Sequence, residues 1–209
     1  MKLHVFPPSP RAFKVLAVAN HLGLSYETSI VDLGSGAQRQ PDFKTLNPNQ
    51  RMPVLEDNGF VLWESNAIIQ YLASKRPESG LYPTEPRASA DVNRWLFWDC
   101  AHWDSACAIF IFERVVKKLF GIGEPDPVEV AKGNERFHRA AAVLDGQLTG
   151  RKFVALDRLT IADFALGAPL NLAERAQLPL EKYSEIRRWH AALSELPAWR
   201  KTDVHRAPG

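Results

Sequence analysis

Cysteine is scarce: the 209-residue chain holds two, Cys100 and Cys107. They stand seven apart in a stretch of helical spacing, about 10 Å along the axis, which forbids a disulfide between them. Reduced thiols are expected. Six histidines are scattered without HxxxH or Cys-His spacing, so no metal site is assigned. An excess of one charge is also lacking. With 26 Lys+Arg against 24 Asp+Glu the formal charge is +2, too mild for a nucleic-acid surface, and Lys117-Lys118 and Arg187-Arg188 read as solvated faces. No apolar run approaches the roughly 18 residues of a membrane span, and Lys2 to Phe6 runs into prolines without the apolar core of a signal. The expectation is a cytoplasmic protein with no nucleic-acid or membrane partner. Internal repeats and low-complexity tracts are missing too.

What is present begins with an apolar content of 45%, enough for a buried core. Lys2 to Phe6 reads as a strand that Pro7-Pro8 breaks; Phe13, Leu16, Ala17, Ala19, Asn20 and Leu22 then keep helical spacing until Gly23. Ser9 before Pro10 reads as a helix cap followed by proline at the first helical position. Tyr26 to Val31 is a second strand and Pro41 to Leu46 a short helix. From Asn47 to Tyr71 the pattern is strand, turn, strand, helix. Pro53 opens an apolar run, Asn58-Gly59 supplies two residues at ease with positive φ, and Phe60 to Trp63 returns. Glu64-Ser65-Asn66 then enters a helix, whose free N–H groups beside the Ser65 hydroxyl suit a carboxylate. Glu64 suits an ammonium, so the pair matches the two charges of an amino-acid end. Because Pro53 cannot extend its ladder, the Met52 amide is left for an extended peptide. A small peptide is the implied ligand, and periodicity alone supports an α/β class for this half.

Pro77 to Pro86 is rich in proline and polar residues and reads as an exposed connection. We therefore expect a domain at 1–78, a linker at 79–86 and a second domain at 87–209. Past the linker, strand signals nearly vanish. Val92, Trp95, Leu96, Trp103, Ala106, Cys107, Phe110 and Ile111 keep helical spacing, which predicts one long helix, and on that spacing the row Trp95, Trp98, Trp103 and Phe110 reads as core. Val128 to Leu148 and the stretch opened by Leu159-Thr160 are further helices; Thr160 with Asp163 resembles a capping box. Tyr183 to Leu196 is the last predicted helix, and Pro197 onward reads as a tail.

The run Met-Pro-Val-Leu-Glu-Asp-Asn-Gly-Phe-Val-Leu-Trp-Glu-Ser-Asn-Ala-Ile from Met52 to Ile68, with Gly36 to Phe43 and Asn47-Pro48 upstream, resembles the glutathione-site segment of cytosolic glutathione transferases. The delta, theta and phi classes are nearest. The resemblance covers Met1 to Pro83 well and the rest loosely. It implies a thioredoxin-like α/β domain followed by an all-α domain, in a serine-type homodimer of bacterial type. The two-fold interface would involve Glu64 to Arg76 and Arg87 to Asp99.

Position by position, the resemblance makes Ser9 the catalytic hydroxyl, six residues before Val15. Glu64 would take the glutamyl ammonium of glutathione, Ser65 the adjacent carboxylate, and the Met52 main chain, before a cis Pro53, the cysteinyl amide. Gln38, Arg39 and Arg51 would face the glycyl end; Gln38 and Gln50 stand where the phi and delta classes carry histidines, and Asn66 replaces the common Arg. Trp103, Asp104, Cys107, Phe110 and Ile111 would line the site of a small hydrophobic electrophile. Glutathione enters as co-substrate, with no metal. A free thiol of pKa about 8.5 is mostly protonated at neutral pH, so a hydroxyl donating to sulfur has chemistry to do. A glutathione-dependent peroxidase or disulfide reductase, and a non-catalytic transferase-like module, are the alternatives.

Overall fold

The computed structural model describes residues 1–203. They divide into two compact units, one of Met1–Tyr82 with the residues from Leu196 on, the other of Pro83–Glu195. One sequence expectation is corrected by this. The break lies between Tyr82 and Pro83, inside the expected 79–86 linker, and the stretch past Leu196 belongs with the first unit, not with the 87–209 domain.

The first unit runs β1 (Lys2–Val5), α1 (Pro10–His21), β2 (Glu27–Ile30), α2 (Pro41–Leu46), β3 (Val54–Asp57), β4 (Phe60–Trp63) and α3 (Ser65–Ser74). A short 3-10 turn at Ala37–Arg39 precedes α2. The sheet order is β2-β1-β3-β4, with β1 parallel to β2 and antiparallel to β3. Leu3, Val5, Val54 and Leu55 are all buried, so the central strands are covered on both faces. Helices α1 and α3 pack together, and α2 sets Phe43 against Val31 and Val54. The hairpin turn has Asn58 at φ 50° and Gly59 at φ 84°, the pair of left-handed residues that matches strand twist. Asp57 accepts from the Tyr71 hydroxyl at 2.8 Å and pairs with Lys75, fastening the hairpin to α3.

The predicted tail is instead a helix, α11 (Pro197–Thr202), and it docks on α1. Trp199 is fully buried with its ring edge-on to Phe13 at 4.9 Å, and Asn20 Nδ2 donates to Thr202 Oγ1 at 2.8 Å. Two turns are too short to show periodicity, which is why the pattern missed them.

The second unit is helical. Its first run is α4 (Pro86–Trp98), α5 (Asp104–Ile111) and α6 (Lys117–Phe120), joined by π-helical turns at Asp99–Trp103 and Phe112–Val116, so the single predicted helix is continuous but twice widened. Then come α7 (Pro127–Leu148), α8 (Ile161–Gly167), α9 (Ala173–Ala176) and α10 (Ser184–Ser194). The capping box at α8 is formed in full, and Asp163 also accepts from Val154 N at 2.9 Å and Trp189 Nε1 at 3.0 Å. Among the described residues, no helix is long and apolar enough to cross a membrane.

Candidate active site

Strand register decides which loops meet. His4 is opposite Val54, Val54 is opposite Trp63, and Val5 is level with Ile30. One end of the sheet therefore carries the exits of β1, β2 and β4 and the entry of β3. Neighbouring strands lie about 4.8 Å apart, so the segments leaving that end are close in space. They hold Ser9, Gln38 and Arg39, Arg51 to Pro53, and Glu64-Ser65. The register thus brings all eight residues assigned to the peptide site to one end of the first unit.

Ser9 has the backbone of a helix cap, φ −78° and ψ 127°, with Pro10 next. Its carbonyl accepts from Phe13 N at 2.9 Å, yet its side chain makes no capping bond. Glu85, Asp126 and Thr160, in the same position on α4, α7 and α8, all bond their helices. The half-buried Ser9 hydroxyl is left available at the positive end of a twelve-residue helix.

The β3 entry is shaped by buried Asn47, whose Nδ2 donates to Arg51 O at 2.7 Å while its Oδ1 accepts from Asn49 N at 3.0 Å. This Asx turn, which the sequence reading passed over, holds the loop that presents Arg51 and Met52. The Met52–Pro53 peptide is cis, and the β1–β3 ladder ends at Val54, leaving the Met52 main chain outside it. Arg39 and Arg51 are exposed. Gln38 is half-buried, and its Oε1 is buried without a hydrogen-bond partner among the described residues.

At the β4 exit Glu64 adopts φ 73° and ψ 111°, a conformation that costs a non-glycine residue of order 1–3 kcal/mol. Its carbonyl accepts from Ile68 N at 2.9 Å, and its side chain is exposed. Ser65, the first residue of α3, is buried beside the unpaired N–H groups of that helix's first turn. An exposed acid next to a hydroxyl and free amides can receive an ammonium and a carboxylate together.

The helical unit treats the five expected electrophile-site residues differently. Trp103 and Cys107 are 0% exposed and Phe110 1%. Trp103 donates to Leu166 O at 2.8 Å and meets Phe137 in a tilted ring contact at 5.2 Å; Phe110 meets Phe137 edge-on at 5.8 Å. The wall expected from the resemblance is corrected for these three: they are core, as helical spacing suggested for Trp103 and Phe110, and have no surface for a ligand. Burial also pushes the Cys107 thiol well above its ordinary pKa, so it stays protonated. Ile111 is nearly buried and Asp104 partly exposed.

A four-stranded mixed sheet with β-α-β and β-β-α halves, followed by a helical unit, defines a thioredoxin-like fold with a helical domain, and one end of that sheet carries both an uncapped serine and an acid-serine helix entry. Residues 1–74 match the family described as Glutathione S-transferase, N-terminal domain, and residues 100–197 the Glutathione S-transferase, C-terminal domain. The chain is 35% identical to Glutathione S-transferase 3 of Zea mays over 208 residues, covering 97% of this chain and 92% of the relative. It is 31% identical to Glutathione S-transferase D7 of Drosophila melanogaster over 202 residues, covering 95% and 87%. The solved structure of a glutathione S-transferase III in apo form superposes with a TM-score of 0.87 at 32% identity, covering 100% of this chain and 98% of that one. The chain belongs to the glutathione S-transferase family.

Proposed function

We propose that this protein is a serine-type glutathione S-transferase of bacterial origin that joins glutathione to small hydrophobic electrophiles. The observation that carries the reading is Ser9: it stands as a helix cap but leaves its hydroxyl unspent, at the sheet end that also holds Glu64 and Ser65. In this reading Glu64 takes the glutamyl ammonium and Ser65 with the α3 amides the adjacent carboxylate. The Met52 main chain pairs with the cysteinyl unit, and Arg39, Arg51 and Gln38 receive the glycyl carboxylate. The Ser9 hydroxyl donates to the sulfur. Together with the N-terminus of α1 it lowers the thiol pKa, and the thiol proton passes to solvent. The thiolate pair then forms a carbon–sulfur bond as the leaving group departs with its own pair. Asp104 and Ile111 are the residues of the helical unit assigned to the electrophile.

Assembly as a homodimer in the cytoplasm belongs to the same reading. Edge strand β4 exposes Phe60, Val61 and Trp63, and on the other unit Phe97 of α4 is 74% exposed, apolar side chains that contact with a second copy would cover. Turnover of a chloronitrobenzene with glutathione, set beside cumene hydroperoxide, tests the chemistry. Conjugate formation is expected. Peroxide reduction alone would replace the transferase assignment, and a monomer by light scattering at micromolar concentration would remove the dimer.

A further inference from the structure

The run of helix that buries Trp103, Cys107 and Phe110 shows an apolar row on another side. Steps of four from Asp104 reach Ala108, Phe112 and Val116, and Leu119 follows three residues on. Asp104, Ala108 and Val116 are partly exposed, while Phe112 is 46% and Leu119 49% exposed. In an α-helix each step of four overshoots a full turn by about 40°, so a row of this length would wind away from its own line. The π-helical turn at Phe112–Val116 takes more than four residues per turn. Its step of four therefore falls short of a full turn and brings Val116 back towards the line of Asp104 and Ala108.

Phe112 is the one aromatic side chain of the row, and it is held from one side. Lys117 Nζ stands over its ring, 5.9 Å from the centroid. That ammonium is itself pinned, donating to Glu113 Oε2 at 2.6 Å and to Glu124 O at 3.2 Å, with Glu113 buried. A ring braced by a fixed cation and still half in water loses little freedom when a flat molecule covers it, and it gains an offset-stacked or edge-on contact.

We propose that this row is the surface by which the helical unit takes the electrophile, and that Phe112 sets a preference for flat aromatic electrophiles over small alkyl ones. The proposal rests on the transferase reading, with Asp104 at the electrophile site. Phe112 offers its ring to the ring of the substrate, the small side chain of Ala108 leaves room beside it, and Val116 and Leu119 extend the apolar contact.

The test compares wild type with Phe112→Ala, Phe112→Tyr, Phe112→Leu and Val143→Ala, using calorimetric binding of two conjugates, S-(2,4-dinitrophenyl)glutathione and S-methylglutathione. They share the peptide and differ only in the group joined to sulfur. For Phe112→Ala the aryl conjugate should bind about tenfold more weakly and the methyl conjugate within about twofold of wild type. Phe112→Tyr, which keeps the ring, should retain most of the aryl affinity, and Val143→Ala, an exposed position of α7 outside the row, should change neither. Aryl affinity within about twofold of wild type in Phe112→Ala overturns the proposal, as does an equal loss for both conjugates or a Phe112→Tyr protein no better than Phe112→Ala. If Phe112→Ala fails to fold, Phe112→Leu decides alone: a loss confined to the aryl conjugate supports the proposal, and its absence overturns it. A wild type that binds neither conjugate removes the transferase reading itself, an outcome distinct from all of these.

Discussion

Ser9 and Thr160 stand at the same point of their helices and use their hydroxyls differently. Thr160 Oγ1 accepts from Ala162 N at 3.3 Å and completes a capping box, whereas Ser9 leaves α1 without a side-chain cap. Removing each hydroxyl therefore has separable consequences. Ser9→Ala is expected to change stability by no more than about 0.5 kcal/mol, since no intramolecular bond is lost. The ultraviolet thiolate absorbance of bound glutathione should instead titrate about one unit higher, roughly 1.4 kcal/mol. Coincident titrations with a lowered melting temperature would return Ser9 to a capping role.

Glu64 separates binding from strain. Glu64→Ala keeps a side chain at φ 73°, while Glu64→Gly relieves the backbone. Both should raise glutathione KM far more than they lower kcat, because the proposed ammonium contact would be common to ground and transition states. In denaturant unfolding Glu64→Gly should be the more stable of the two by about 1 kcal/mol. Equal stabilities would show that the conformation is unstrained, and an unchanged KM would return Glu64 to a helix-entry role.

Asp163 carries a pH signature. Burial pushes its pKa up to about 6, against the bonds from Val154, Thr160 and Trp189 that favour the ionised form. The folded state then holds the proton more tightly than the unfolded chain, whose aspartate titrates near 3.9. Between these values the native state binds more protons, so this group's contribution to stability falls as pH rises from about 4 to about 6. His190, pushed by burial down to about 4, has the opposite slope over the same range. The two oppose each other in the wild type, so the informative quantity is the difference in unfolding free energy between wild type and Asp163→Asn. It should shrink by about 2–3 kcal/mol from pH 4 to pH 6.5; a flat difference would contradict the shift.

Trp199 measures how far the last helix supports the first unit. Trp199→Ala removes a fully buried ring from Phe13 and is expected to cost about 3–5 kcal/mol in denaturant unfolding. A loss below about 1 kcal/mol would mean that α11 docks without contributing to that unit's stability.

Local chemistry made much of this protein legible without coordinates. Pro10 fixes φ, Gly23 and Asn58-Gly59 accept the positive φ that a helix end and a tight turn require, and the Thr160–Asp163 box closes within one turn, so helix ends, hairpin and cap could be read directly. The segment proposed to hold glutathione was legible for a related reason: acid, hydroxyl and helix entry are adjacent in the chain, and adjacency alone brings them together.

Contacts between residues distant in sequence were decided by tertiary structure. Strand register, a matter of hydrogen bonds between distant segments, put Ser9 at the sheet end that holds Met52 and Glu64. Burial put Trp103, Cys107 and Phe110 in the core, where helical spacing had already suggested the two aromatic rings belong and the resemblance had suggested a ligand wall. Packing drew α11 back onto α1, since two turns too short to show a period can still bury a tryptophan. Fifty-two residues of chain separate Lys14 from Asn66, so sequence spacing could not show that the buried Lys14 ammonium of α1 donates to the Asn66 side chain of α3.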